Sequence, residues 1–431
     1  MSPSILNPPF DSERRTSPLV VCTFNLVATI IGGSVLSVPL AFQKSGIIVG
    51  TILMVFAAVI TAKSLNLLCI AARKTGATSY GGVGKDAYGA WMDTSISALL
   101  CVFLHFVLVA YMVILRDIWT PLVRLLLPEI SGDVVLFGTL VSMSPFLGQR
   151  TLHALRFNCY IGMSSISLLC LALVHHAFVA EKKNLKYFPE KIGDALFAFP
   201  IITLSFVSAF NVLSIQNALV RPTPERMESV INLAVLPSFV LMYSFGLGGY
   251  IYAQEETQGN ILLNCNHDED WMFLVGRIGY GITMTLALAI VMLPCRDSFL
   301  ELVDLLVTTS PTIGSILGEE TSLLSNSTPR RSIQENPFVH YGATFGITLV
   351  TYVGASMAPG VAIVWSLCGS SMAFVVSFIL PAACYLELEK KMPASSGTFW
   401  TRLLANFLVV FSLVGMVACT GQTILMMTRH S

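Results

Sequence analysis

Ile30-Ile31-Gly32-Gly33-Ser34 lies in the middle of the first long apolar run, Leu19 to Phe42, and its reading decides the fold. The run carries no charged side chain and is long enough to cross a bilayer as a helix. Each glycine lowers helix stability by about 1 kcal/mol, and the serine hydroxyl competes for the backbone. The helix is therefore expected to open at mid-depth. Opened backbone is tolerated there only where it is buried in protein or lines a cavity. The stretch is thus a candidate site for a small polar ligand.

Composition agrees with a membrane setting. The 431 residues are 54% apolar and 12% charged, and the mean hydropathy is +0.74. A soluble domain carries about 25% charged residues. Zero net charge argues against a nucleic-acid partner. The ten cysteines fall mostly inside apolar runs, where Cys behaves as a small hydrophobe. Cys265 and His267 are too few ligands to make a metal site.

Eleven apolar runs suit spanning helices: 19–43, 46–72, 94–116, 133–148, 157–180, 193–219, 230–253, 271–294, 339–357, 360–386 and 402–427. The chain reads as an all-α polytopic membrane protein, with residues 1–18 as an N-terminal segment and 297–336 as its longest loop. That loop reads as flexible apart from a short amphipathic helix expected at Phe299 to Val307, and the sequon at Asn326 reads as a chance match. Lysines and arginines including Arg14, Arg15, Arg73, Lys74, Arg150, Arg221, Arg296 and Lys390 place the N-terminus in the cytoplasm. The lysines of 181–191 fall on the other side and disagree. The acidic loop 254–270 falls outside.

The sixth run holds Thr203-Leu204-Ser205-Phe206-Val207-Ser208-Ala209-Phe210-Asn211 near mid-depth. It reads either as a second interruption or as a continuous helix whose hydroxyls bond back to the preceding turn. Position favours the interruption. Runs one and six each open a set of five helices, repeat one over 19–180 and repeat two over 193–386, and an odd number inverts the second set. Paired interruptions in inverted halves point to a transporter binding site. Free N–H groups at a half-helix N-terminus attract a carboxylate, and unwound carbonyls attract a cation. An amino-acid zwitterion satisfies both.

Phe24-Asn25-Leu26, then Ile30 to Phe42 and Gly46, resembles the first helix of the amino acid/auxin permease family, closest to its solute carrier family 38 branch. Ser205-Phe206-Val207 with Arg221-Pro222, Gly259-Asn260-Ile261-Leu262 with Arg277, Leu293-Pro294-Cys295-Arg296, and Ser377-Phe378-Ile379-Leu380-Pro381 with Tyr385 extend the resemblance over residues 19 to 427. It implies a fold like the bacterial leucine transporter: a 5+5 inverted repeat with an eleventh helix, here 402–427. It also implies secondary transport of amino acids, neutral or cationic and often glutamine-like, coupled to sodium or protons, with no other cofactor. By the same resemblance the substrate meets Ile31, Gly32, Gly33 and Ser34 on helix one, and Phe206, Ser208, Ala209 and Asn211 on helix six. A sodium ion would sit at the carbonyls of Ala28 and Ile31 and the hydroxyl of Thr285. The chain departs from the family at Ala28, at the order Gly32-Gly33-Ser34, at Asn211 and at Ala287, where oxygen ligands or a Glu often stand. These departures thin the sodium side of the site.

His105 admits two readings, a proton relay or a neutral ring donating to a neighbouring carbonyl. Tyr111 reads as a pocket wall or as packing. His175 and His176 read as interfacial anchors, Arg277 as a snorkelling structural residue, Gln216 and Asn217 as caps of helix six, and Gly246, Gly248 and Gly249 as packing positions. No nucleophile–base pair or metal-ligand spacing supports an enzyme. A transport-inactive sensor keeping the same fold is the alternative. The expected partners are an amino acid and the bilayer of the plasma membrane or of a vacuole or lysosome, with the oligomeric state left open.

Overall fold

The computed structural model describes residues 15–149, 158–179, 185–265, 270–309, 337–392 and 399–430. His267, the sequon at Asn326 and all but the start of the loop 297–336 lie outside the described residues.

The first apolar run breaks where its sequence is weakest. Helix α1 covers Leu19–Ile30, a 3-10 turn covers Gly33–Ser37, and α2 covers Val38–Ser45. The two halves meet at 43°. The Gly32 N–H donates to the Ile30 carbonyl at 2.9 Å, and the Val35 N–H to the Gly32 carbonyl at 3.4 Å. Both donors thereby leave the carbonyls of Ala28 and Ile31, which a continuous helix would have given them.

Ordinary helices follow: α3 (Ile47–Thr75), α4 (Tyr80–Tyr88), α5 (Ala90–Arg124), α6 (Gly132–Leu147) and α7 (Asn158–Val179). The sixth run is also broken. It forms α8 (Ile192–Leu204) and α9 (Ala209–Ala218), with Ser205 to Ser208 outside either helix. Both sequence readings of this run hold in part. Thr203 Oγ1 bonds back to Phe199 and Pro200, and Ser205 Oγ to Ile201, yet the helix stops one residue before Ser205.

The chain continues through α10 (Pro224–Ala253), α11 (Trp271–Thr309), α12 (Pro337–Met357), α13 (Val361–Cys368), a π-helical stretch, α14 (Leu380–Lys391) and α15 (Phe399–His430). The short helix expected at Phe299 to Val307 is continuous with α11, so the loop begins later than residue 297.

Among the described residues, eight helices are long and apolar enough to cross a membrane, and the bent first pair brings the number to nine. The other two expected runs also form helices. Gly132–Leu147 has only 16 residues, about 24 Å of helix against a core of about 30 Å. Pro337–Met357 carries His340, Thr344, Thr348 and Thr351 along its length.

Small residues let these helices approach closely, which lipid cannot drive by the hydrophobic effect. A Cβ on Gly246 would lie 2.9 Å from Phe42 Cε2, and one on Gly249 would lie 3.0 Å from Pro39 Cβ. The glycines of α10 thus seat α2, the second half of the broken helix. Asn217 does not cap its own helix. Its Nδ2 donates to the Thr78 carbonyl at 2.7 Å, tying α9 to the turn between α3 and α4.

Candidate functional site

A cavity of about 730 Å³ opens beside the two breaks. Ala28, Ile31, Gly32, Gly33 and Ser34 line it from the first run, and Leu204, Val207 and Asn211 from the sixth. Its lining runs on through Cys22, Phe103, Ala218 and Pro294, all toward the end of the bundle that carries the N-terminus. The other end is covered. The loop between α10 and α11 folds over it, with Ser37 Oγ donating to the Gly259 carbonyl at 2.6 Å. Arg277 is buried rather than snorkelling. Its Nη2 donates to the carbonyls of Leu262 and Cys265, which holds that loop down.

Among the described residues, no Asp, Glu, Lys, Arg or His lines the cavity. Any ligand that stays there must therefore be neutral overall or bring its own counter-charge, because an unpaired charge in such surroundings costs several kcal/mol.

Polar groups converge on the break itself. Tyr280 donates its hydroxyl to the Gly32 carbonyl at 3.3 Å. A Cβ on Gly33 would lie 2.9 Å from Tyr111 Cε1 and 3.0 Å from Met284 Cε. Tyr111 in turn packs edge-to-face against Trp365, with ring centroids 6.2 Å apart. Trp365 lines the cavity, and its buried indole N–H meets no acceptor among the described residues. The half-helices are tied across the site: Asn211 Nδ2 donates to Thr29 Oγ1 at 2.8 Å, and Thr29 Oγ1 donates to the Asn25 carbonyl at 2.8 Å.

The residues expected from sequence divide. Ala28, Ile31, Gly32, Gly33, Ser34, Tyr111 and Asn211 line the cavity. Phe206, Ser208 and Ala209 are buried at the second break and do not line it. His105 is also absent from the wall, because Phe103, Leu104, Val107 and Tyr111 present the cavity face of α5. Thr285 faces another partner: its hydroxyl donates to the Gly281 carbonyl at 2.7 Å and accepts from Trp119 Nε1 at 3.1 Å. Thr283, two residues earlier, lines the cavity in its place.

Asn158, Tyr280 and Trp365 were not singled out by sequence. Their polar groups stand in apolar runs far apart in the chain, and only helix packing brings them together. His176 is more than an interfacial anchor. Its Nε2 lies 2.6 Å from Asp270 Oδ2, which joins the ends of α7 and α11 on the covered side.

Two broken helices around an uncharged cavity call for comparison with known proteins. The chain matches the family described as transmembrane amino acid transporter protein over residues 15–425. It belongs to that family. Solute carrier family 38 member 10 of Homo sapiens is 23% identical over 88% of this chain, which spans 33% of that protein's length. Vacuolar amino acid transporter 5 of Schizosaccharomyces pombe is 23% identical over 93% of each chain. Among solved structures, MhsT in complex with L-phenylalanine aligns over 94% of this chain and 98% of its own, with a TM-score of 0.53 at 10% identity. The family member is thus an integral membrane protein with the leucine-transporter-like fold.

Proposed function

We propose that the protein carries neutral amino acids across a membrane by alternating access, with the observed state open toward the side of its N-terminus. One observation carries this reading: both half-helix breaks border a cavity that, among the described residues, has no charged side chain and is covered by the loop between α10 and α11. In this reading the substrate carboxylate meets the positive end of the Gly33–Ser37 turn, beside Trp365. The carbonyls of Ala28 and Ile31, whose helical donors have turned away, are the cation side of the break. Tyr111 and Met284 crowd Gly33 and so fix the closed edge of the site.

The coupling ion is proposed to be sodium or a proton. Thr285 is held by Gly281 and Trp119, so a sodium ion would take its helix α11 hydroxyl from Thr283. Sodium favours several oxygen ligands, and this set is sparse.

The experiment is uptake of radiolabelled amino acids into proteoliposomes, with a sodium gradient and a proton gradient imposed in turn. Concentrative uptake under one of them is expected. Binding without flux under any gradient would replace the transporter reading by that of a sensor.

A further inference from the structure

The run between α13 and α14 is π-helical over Gly369–Ala373 and Val375–Ile379. A π-turn takes up one residue more than an α-turn and occurs frequently at functional sites. Its cause here is local. Pro381 has no N–H, so the Ser377 carbonyl lacks the donor that an α-helix would give it. The Leu380 N–H donates to the Val375 carbonyl, which leaves Val376 without its α-helical donor as well. Side chains from neighbouring helices fill both places. Ser64 Oγ of α3 donates to the Ser377 carbonyl, and Tyr80 Oη of α4 donates to the Val376 carbonyl at 2.6 Å.

These two bonds differ in what their loss would do. Without Ser64 the Ser377 carbonyl is orphaned in either form, because Pro381 never supplies a donor. Without Tyr80 the Val376 carbonyl recovers a partner once the Leu380 N–H shifts to it, which turns that π-turn into an α-turn. The stretch thus has two forms, and the Tyr80 hydroxyl selects the wider one.

A one-residue change of register turns the chain on one side by about 100° and moves it ~1.5 Å. The α14 side is pinned by charge-assisted bonds, from Lys74 and Arg402 to Glu389 and from Lys391 to the Ala87 carbonyl. On α13, Ser366 Oγ makes neutral bonds with the Phe197 carbonyl and Thr423 Oγ1, and such bonds are about half as strong. The change therefore appears in α13, which carries Trp365 against Tyr111 in the cavity wall. Tyr80 in turn follows α9. It stands two residues after Thr78, whose carbonyl accepts from Asn217 Nδ2 at the mouth end of α9.

Resting on the transporter reading, we propose that the π-helical stretch is a register switch linking the mouth of the cavity to its closed edge. Movement of α9 pulls on α4 and draws the Tyr80 hydroxyl off Val376. The Leu380 N–H then takes that carbonyl, and α13 turns Trp365 away from Tyr111. A two-form element biased from both ends is what coupling between separated sites requires.

The test is amide hydrogen exchange of the purified protein, read on peptides covering residues 369–380, alongside uptake of radiolabelled neutral amino acids into proteoliposomes. Tyr80→Phe removes the donor that holds the π form. Pro381→Ala gives Ser377 a helical donor, and so favours the α form by a separate route with no contact removed. Each variant should slow exchange in the segment about tenfold, the worth of one hydrogen bond, and should cut uptake by a similar factor. Mere loss of structure would speed exchange instead. Unchanged or faster exchange in either variant, with a monodisperse elution profile, would overturn the inference. So would slowed exchange with full uptake. Absence of flux from the wild-type protein under any gradient would reject the transporter reading, whereas wild-type flux with unchanged exchange in both variants would reject this inference alone.

Discussion

Gly32 and Gly33 are adjacent in sequence but differ in what surrounds them. A Cβ on Gly33 would lie 2.9 Å from Tyr111 Cε1, 3.0 Å from Met284 Cε and 3.1 Å from Ile114 Cδ1. A Cβ on Gly32 would meet nothing closer than the Tyr111 hydroxyl at 3.6 Å. Sequence alone makes the two equivalent, since both weaken the helix. The structure separates them. Gly33→Ala should therefore cut uptake by at least tenfold with normal membrane insertion, whereas Gly32→Ala should keep most activity. Comparable uptake by both variants would mean that the crowding at Gly33 has no bearing on transport.

Between elements, the Thr29–Asn211 bond ties the half-helices α1 and α9 at mid-depth, with a weaker contact from Cys22 Sγ to the Ile215 carbonyl at 3.9 Å nearer their ends. A single hydrogen bond contributes about 1 kcal/mol net, and two side chains in contact are not additive. Thr29→Val and Asn211→Leu should each lower thermal stability. The double variant should lose less than the sum, by about 1 kcal/mol. Strict additivity in that cycle would show that the bond does not form. The two breaks themselves have different origins. The first follows from paired glycines. The second coincides with Thr203 and Ser205, whose hydroxyls are turned back on the preceding carbonyls.

At the scale of the molecule, one side of the cavity is covered by the loop that Arg277 holds through the carbonyls of Leu262 and Cys265. Cys265 lies under this cover, and burial pushes its thiol up to about 12 although Arg277 pulls it down. A thiol that stays protonated reacts slowly. Arg277→Met should free the loop, and a membrane-impermeant maleimide should then label Cys265 at pH 7 at least tenfold faster, as read by peptide mapping. Fast labelling of the wild-type protein would show that the loop does not close that side.

The break in the first run, the count of runs and the membrane class were legible in the sequence, because they depend on local composition: glycine weakens a helix wherever it stands, and an uncharged run suits a bilayer. Much of the site was legible through the break, since Ile31 to Ser34 must present backbone wherever the helix opens. The rest was decided by packing. A hydroxyl on α11 can face the cavity or a neighbour, and only the rotation of that helix turned Thr283 inward and gave Thr285 to Trp119. The same is true of His105, which shares α5 with Tyr111 but not its face. Asn158 and Trp365 lie more than 200 residues apart, each one of several polar groups in an apolar run. Their meaning comes from which bonds remain unmade once the helices are packed, and a sequence holds no record of that.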